Sequence, residues 1–213
     1  MTKSTSTPKV KRSKAAPGAA AAVAAVAAVA APTTDDLVRA RKVGLRTALV
    51  NALQSAVDTA RAAYQAAVEG ATHAEAKAEN SKDTRGLEQS YVARGQAQRV
   101  AELETGLTAV STMTIEPQAL DSNGAPSPVR IGSIVLVRDQ ADDRCATYWI
   151  APAGGGTVLV APLQTSNGDT AAPVTVVTPS SPLGRALLTR LRDDEIVVGE
   201  GAKQRTFDIV AIA

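Results

Sequence analysis

Apolar residues between positions 45 and 68 recur at spacings of three and four, the period of one face of an α-helix. They are Leu45, Leu49, Leu53, Val57, Ala60, Tyr64 and Val68. Thr33 or Thr34 can cap this helix. Asp35 and Asp36 suit its first turn, where the helix dipole favours negative charge. The pattern therefore predicts a long helix that begins near Thr34.

A second helical pattern follows and ends before Pro117, which cannot continue a helix. Its apolar positions are Leu87, Tyr91, Val100, Leu103, Leu107 and Val110. Two helices of about 30 to 35 residues would each be about 45–50 Å long, more than a small globular core can cover. We therefore predict an antiparallel helical hairpin, or coiled coil, over residues 34–113, protruding from the molecule and followed by a linker at 114–127.

The predicted tip of the hairpin, near residues 70–83, is polar and acidic. One interpretation is a solvated connection in which Ser81 caps the second helix. In the other, Glu79 and Asp83, or Glu75 and Glu79, form a carboxylate pair for a hard cation such as Mg²⁺, which binds oxygen ligands. Two carboxylates alone make a weak metal site, so a partner would have to supply the remaining ligands.

From residue 128 onward the chain changes to short β-branched runs separated by turn residues, which indicates a small β-domain over 128–213. The predicted strands are Val129–Asp139, Ala146–Pro152, Thr157–Pro162, Val174–Pro179, Glu195–Val198 and Arg205–Ile212. Gly154–Gly156 lacks the lysine of a phosphate-binding loop, and we interpret it as a hairpin turn. The whole chain is thus predicted to be α+β.

A short amphipathic helix interrupts the strands of this β-domain. Ser181 can cap it, and Pro182 fits its first position, where the missing N–H costs nothing. Four leucines share one face, which we expect to pack on the sheet: Leu183, Leu187, Leu188 and Leu191.

Composition narrows the range of functions. Among 213 residues 45% are hydrophobic, but only 2% are aromatic, so a large aromatic-rich enzyme core is not expected. Cys145 is the only cysteine, which excludes an internal disulfide, and we interpret it as an ordinary strand residue. His73 is the only histidine, and a zinc site is not expected, for want of further ligands.

Residues 1–33 are predicted to form a disordered, basic and alanine-rich tail. They carry five Lys and Arg residues and no acid. The basic part either makes salt-sensitive contacts with nucleic acid phosphates or is a solvated tail without a partner. An export signal is the less favoured alternative, because the apolar run at residues 19–31 contains no leucine or phenylalanine. The run is also too short and too weakly apolar for a membrane span.

The segment "SPLGRALL" at 181–188, followed by an acidic turn, a short strand and a final "FDIVAI" strand, resembles the C-terminal domain of the bacterial Gre transcript-cleavage factors (GreA/GreB). The order of parts is also similar: a long helical hairpin, a linker and a small β-domain. "YVARGQAQRVAELETGL" at 91–107 looks like the second helix of that family's coiled coil. The resemblance covers residues 34–213.

The resemblance implies an FKBP-like β-domain that docks on RNA polymerase, with Ser181, Pro182, Leu183 and Arg185 as the expected contact residues. The coiled coil would enter the secondary channel, where Glu79 and Asp83 would help to hold Mg²⁺ and water in the polymerase active site. The polymerase would then cleave its own backtracked RNA by two-metal chemistry. Such a protein is not an enzyme by itself, has no cofactor of its own and acts in the bacterial cytoplasm.

This chain departs from the family pattern at the tip. The family's tip usually has Asp and Glu three residues apart, whereas here Lys82 lies three residues after Glu79, and Asp83 follows it. On a helix, Glu79 and Asp83 would still share one face. A second hypothesis is therefore a secondary-channel regulator of RNA polymerase that does not stimulate cleavage. A peptidyl-prolyl isomerase and an exported coiled-coil protein are weaker alternatives.

Overall fold

The computed structural model of the chain describes residues 34–72, 85–116, 127–160 and 173–213. Within these ranges the chain forms two long helices, a six-stranded mixed sheet, one short α-helix and a 3-10 helix at Gly201–Lys203, which confirms the predicted α+β class. Residues 34–213 constitute one compact unit. The predicted tail at 1–33 and the larger part of the predicted linker lie outside the described residues.

The two long helices, α1 (Thr34–Thr72) and α2 (Arg85–Thr112), form an antiparallel pair. The Arg46 side chain donates to the carbonyl oxygen of Met113, while Arg61 contacts Glu104, so the residue numbers of the two helices run in opposite directions. Within the described residues, the two helices have 39 and 28 residues. They correspond to about 58 Å and 42 Å of helix.

The apolar stripe of α1 is confirmed up to Ala60, and the prediction for Tyr64 is wrong. Leu45, Leu49, Leu53, Val57 and Ala60 are buried, whereas Tyr64 is 37% exposed. The next buried position is Ala67, seven residues after Ala60. Tyr64 lies seven residues after Val57, and seven residues advance a helix by nearly two whole turns, so the two side chains stand on nearly the same side of α1. Val57 is only 1% exposed, so the helical period alone does not explain the exposure of Tyr64.

On α2 the predicted face is correct near the end of the helix and wrong at Tyr91. Val110 is fully buried, and Val100, Leu103 and Leu107 are half-buried. Tyr91 is 65% exposed. It precedes Val100 by nine residues, or about two and a half helical turns, which places the two side chains on opposite sides of α2.

The six strands form one sheet with the order β3-β4-β2-β1-β6-β5. Their bounds are β1 (Ile134–Asp139), β2 (Cys145–Ile150), β3 (Val158–Leu159), β4 (Val174–Val177), β5 (Glu195–Val198) and β6 (Arg205–Ile212). All neighbouring strands are antiparallel except β2 and β4, which are parallel. A register shift between Leu136 and Val137 interrupts the pairing of β1 with β6.

The prediction of a hairpin at Gly154–Gly156 is wrong. These residues do connect β2 to β3, but the two strands are not neighbours, because β4 lies between them and pairs with both. Gly154 and Gly156 have positive φ values of 79° and 85°, so the turn does need glycine. The turn directs the chain across the end of the sheet instead of back along β2.

The predicted first strand also begins too early. Val129 is buried but lies outside β1, and its amide donates to the carbonyl oxygen of Arg190. The Thr189 amide donates to the Val129 carbonyl oxygen. A turn at Gly132, where φ is 94°, then separates Val129 from the strand. These two hydrogen bonds therefore hold the segment after the short helix against the residues that precede β1.

Alternate residues of the strands face two different apolar cores, as the pleat of a strand requires. On one face, the base of the hairpin packs on the sheet and forms a core that we term the junction core. It consists of Leu45, Leu49, Leu53, Val110, Met113, Ile134, Trp149, Ala151, Leu159, Val174 and Val176. On the opposite face, Leu187 packs among buried residues of β1, β2, β5 and β6. Both faces of the sheet therefore carry an apolar core.

The short helix, α3 (Pro182–Leu187), has the predicted cap and first residue. Leu187 is fully buried, and Leu183 and Leu188 are partly buried against the second core. Leu191 was expected on the same face but is 40% exposed. The helix ends at Leu187, so the helical spacing that relates Leu187 to Leu191 no longer applies.

Candidate functional site

The predicted tip carboxylates, Glu79 and Asp83, lie outside the described residues, as does His73. What the structure does describe is the predicted partner-binding segment around α3. It also describes the part of the hairpin that leads towards the tip. The candidate site is therefore built from α3 and the strands beneath it.

The loop before α3 is held by the Ser181 side chain. Its hydroxyl accepts a hydrogen bond from the Gly184 amide at 3.0 Å and donates one to the Thr178 carbonyl oxygen at 2.8 Å. Ser181 itself is extended, with φ −71° and ψ 154°. A capping serine followed by proline fixes where a helix starts, because both residues fit that conformation. The positions of Pro182 and Leu183 follow from this cap.

An open groove of about 520 Å³ runs beside α3, and its walls are mainly apolar. We term it the α3 groove. It is lined by Tyr148, Gly155, Gly156, Thr175, Val176, Val177, Thr178, Ser181, Pro182, Leu183 and Val198. The groove thus brings together three of the four predicted partner-binding residues.

Arg185, the fourth predicted residue, is exposed and is not among the residues that line the α3 groove. No charged side chain lines this groove. An apolar groove without charge suits an apolar side chain or helix face of a partner, since burial of apolar surface is the favourable term available to it. Tyr148 contributes a ring with one polar end, a combination that is common at protein interfaces.

A second, smaller concavity of about 250 Å³ adjoins the α3 groove, because Tyr148 lines both. Its floor contains Asp139, which is 3% exposed. Arg205 forms an ion pair with Asp139, and the Ala141 amide donates to Asp139 Oδ1 at 2.8 Å. The Arg205 guanidinium also lies over the Phe207 ring, 5.5 Å from its centre. Within the domain, the Asp139 carboxylate therefore has one hydrogen bond, to Oδ1, and one ion pair, to Oδ2.

Tyr148, Val198 and the Asp139–Arg205 pair were not predicted to be site residues. Tyr148 and Val198 stand within runs that read as ordinary strands, and their joint position depends on strand order. Asp139 and Arg205 are 66 positions apart in the sequence. The available signal was a charged residue at a position where strand alternation predicts an apolar one.

A network of charges lies on the solvent side of β1, β5 and β6. The Arg138 guanidinium donates to Asp208 at 2.8 Å, and the Gln140 amide donates to both Asp208 and Glu195. Hydrogen bonds from Arg138 and Gln140 lower the pKa of Asp208, while Asp208 raises the pKa of Arg138. This arrangement neutralises charge between strands.

Within the described ranges, no group of three His, Cys, Asp or Glu side chains could hold a metal ion. Cys145, predicted to be an ordinary strand residue, is exposed at the start of β2 and is a free thiol. Trp149 is fully buried in the junction core and does not line the α3 groove. In the part of the chain that the structure describes, no helix is long and apolar enough to span a membrane.

No protein-family model matches the chain, and no curated protein matches it. Similar solved structures include the transcription factor Gfh1, 18% identical with a TM-score of 0.29, covering 78% of this chain and 93% of that chain. GreA factor homolog 1 (Gfh1) of Thermus thermophilus is 20% identical with a TM-score of 0.28, covering 77% and 94%.

A GreA/GreB elongation factor from Nitrosomonas europaea is 15% identical with a TM-score of 0.28, covering 60% of this chain and 92% of its own. Identities and TM-scores this low carry no conclusion about this chain. The architecture of the chain is established by its own helices, strands and contacts.

Proposed function

We propose that this chain is a bacterial transcription elongation factor that binds RNA polymerase and inserts its helical hairpin into the secondary channel. The observation that supports the proposal is that the base of the hairpin packs on the β-domain, whereas its remaining length does not. Leu45, Leu49 and Leu53 at its base pack on the sheet, whereas Val57 and the residues beyond it belong to neither core of the sheet. From Val57 to Thr72, α1 continues for about 24 Å.

The α3 groove is the proposed docking surface for the polymerase, and the β-domain is proposed to have the FKBP-like fold of the Gre family. Pro182 and Leu183 offer apolar contacts, and Arg185 offers a charge beside them. The hairpin then acts as a rigid spacer that sets the distance from this surface to the tip. The factor works in the cytoplasm.

At the tip, Glu79 and Asp83 are proposed to supply carboxylate oxygens to a Mg²⁺ ion in the polymerase active site. The polymerase, assisted in this way, would cleave backtracked RNA. A cation shared by two proteins suits a pair of carboxylates that is too weak to hold the ion alone. The chain is accordingly proposed to stimulate a nuclease without being one.

Lys82 favours a second candidate, a secondary-channel regulator that does not stimulate cleavage. It stands between the two carboxylates in the sequence. An ammonium close to a carboxylate pair neutralises charge that a cation would otherwise use. Such a protein would occupy the channel and compete with cleavage factors.

The deciding experiment measures RNA release from a stalled, backtracked polymerase complex at several Mg²⁺ concentrations. Stimulated cleavage that is lost in Glu79→Ala/Asp83→Ala supports the cleavage factor. Binding without cleavage, together with competition against a Gre factor, supports the second candidate. Cleavage that appears on Lys82→Ala would identify the lysine as the cause. A chain that neither binds the polymerase nor alters release would overturn both.

Docking through the α3 groove is tested by binding of the same complexes. Leu183→Ser should weaken binding about tenfold or more, since a residue buried at the centre of an interface can cost more than 1 kcal/mol when it is truncated. Leu191→Ser is the matched control, because Leu191 is partly exposed and does not line the groove. Equal binding by the two variants would contradict docking at this surface.

A further inference from the structure

A pocket of about 210 Å³ lies where the hairpin base meets the β-domain. We term it the junction pocket. It is lined by Lys42, Thr114, Glu116, Arg130, Ile131 and Gly132. Three segments meet there: the first turns of α1, the residues that follow α2, and the residues that precede β1. A ligand in this pocket would touch both parts of the molecule.

Lys42 is the most unusual residue of the junction pocket, because it is a lysine that is only 1% exposed. Its Nζ donates to the Glu116 carbonyl oxygen at 2.9 Å. An ammonium has three N–H donors, and among the described residues this carbonyl is the one hydrogen-bond acceptor that it contacts. A buried ammonium with incomplete hydrogen bonding is costly unless something else compensates it.

The charges around Lys42 do not provide that compensation. Arg130 lies close enough to repel the ammonium, and the Glu116 carboxylate is 62% exposed and 3.4 Å from the Arg130 guanidinium. Burial, followed by the charge of Arg130, lowers the pKa of Lys42 to about 8, against an opposing contribution from Glu116. Arg46, one turn along α1, adds another positive charge and donates to the Met113 carbonyl oxygen. The region is therefore rich in positive charge.

We propose that the junction pocket binds a small, doubly charged oxyanion of the phosphate type between the Lys42 ammonium and the Arg130 guanidinium. An oxyanion accepts hydrogen bonds on several oxygens at once, which suits the spare donors of Lys42 and the fork of Arg130. The volume admits such an ion together with waters, each of which takes about 30 Å³ in the liquid.

The pocket also gives the ligand a structural effect. Lys42 belongs to α1, and Arg130 belongs to the segment that enters the β-domain, so one oxyanion would bridge the hairpin and the sheet. A ligand that binds only the folded arrangement stabilises it in proportion to ligand concentration. Occupancy would thus fix the hairpin base more firmly on the sheet.

Calorimetric titration of the full chain with sulfate and with inorganic phosphate, at constant ionic strength set by chloride, tests the proposal without polymerase. We expect saturable binding that weakens about tenfold or more in Lys42→Met and severalfold in Arg130→Gln, since each removes a charge-assisted hydrogen bond. Met keeps the length of the lysine stem, so the variant should fold. Arg94→Gln, which removes an exposed arginine of α2, should bind like the wild type.

A second measurement uses the charge state of Lys42 and does not depend on any variant. Sulfate keeps two charges throughout pH 6–10, and the groups that face it are Lys42, Arg130 and Glu116. Affinity should fall as pH rises through about 8, where Lys42 loses its proton. Below that range the affinity should be constant. Circular dichroism at each pH confirms that the chain remains folded.

The proposal is overturned if sulfate binding is not saturable, or if Lys42→Met and Arg94→Gln respond alike, since both outcomes indicate a general salt effect. It is also overturned if affinity does not change between pH 7 and pH 10. Comparison of inorganic phosphate with a nucleoside monophosphate identifies the source of the oxyanion. Equal affinity supports a nucleotide with an exposed terminal phosphate, and much weaker binding of the monophosphate supports the free ion.

Discussion

Lys42 shows how a single residue can make the stability of the protein depend on pH. In the unfolded chain a lysine has a pKa near 10.4, whereas burial and the charge of Arg130 bring it to about 8 in the folded protein. Between these two pH values the unfolded state binds more protons than the folded state. Stability should therefore rise with pH across this window, because deprotonation removes the cost of a buried charge.

We expect Lys42→Met to be more stable relative to the wild type at pH 7 than at pH 10. At pH 7 the substitution removes a buried charge, and at pH 10 it removes a lysine that is already largely neutral in the folded state. Urea unfolding at the two pH values, in dilute chloride buffer without phosphate or sulfate, measures the difference. Lys203→Met, which removes an exposed lysine, controls for the loss of one surface charge. A difference between wild type and Lys42→Met that does not change with pH would contradict the prediction.

Among the elements, α3 depends most on a single hydrogen-bonding group. The Ser181 hydroxyl holds both the Gly184 amide and the Thr178 carbonyl oxygen. Ser181→Ala should lower the free energy of unfolding by about 1 kcal/mol, the usual cost of losing an N-cap. Chemical denaturation measures this change directly.

Ser180→Ala is the control for α3, because Ser180 is exposed and, among the described residues, its hydroxyl contacts only the Thr178 hydroxyl, at 3.3 Å. It should change stability by less than about 0.5 kcal/mol. Ser181→Asp should restore only part of the stability, since an aspartate accepts from the Gly184 amide but has no proton to donate to the Thr178 carbonyl oxygen. An effect of Ser181→Ala no larger than that of Ser180→Ala would show that the cap is not needed.

Local sequence signals predicted much of this architecture. The cap and proline of α3 and the bounds of β5 and β6 depend on residues that are close together in the chain. The apolar period placed Leu45, Leu49 and Leu53 on one buried face. These features follow from backbone geometry and side-chain period, which a single sequence displays.

Features that depend on distant residues could not be predicted. The insertion of β4 between β2 and β3 is decided by pairing across a long connection, so Gly154–Gly156 looked like a hairpin. The junction pocket could not be predicted for the same reason, since Lys42 and Arg130 come close to each other only in the folded chain. One signal was present: Lys42 precedes Leu45 by three residues and therefore stands on the apolar face of α1.

At the scale of the whole molecule, the junction core makes the hairpin and the β-domain one unit. Leu49 of α1 and Trp149 of β2 are both fully buried in it. Trp149 is the only tryptophan of the chain, so its fluorescence reports on the junction alone. Far-ultraviolet circular dichroism is dominated by the two long helices. The two signals should therefore change together on unfolding, as expected for a cooperative transition.

Leu49→Ala should lower both midpoints together and reduce the free energy of unfolding by about 2–5 kcal/mol, through lost burial and the cavity left behind. Leu37→Ala is the matched control, since Leu37 is 46% exposed and lies near the start of α1. It should have a small effect. Separate transitions for helix content and tryptophan fluorescence would show that the two parts unfold independently.

The junction core also constrains how the protein is made. The ribosome synthesises Leu45 and Leu49 first, but their partners Val174 and Val176 follow about 125 residues later. At 5–20 residues per second this delay is roughly 6 to 25 s, whereas a helix forms in microseconds. The nascent hairpin therefore exists for seconds with its apolar base uncovered, a surface that a chaperone on the ribosome can bind until the sheet emerges.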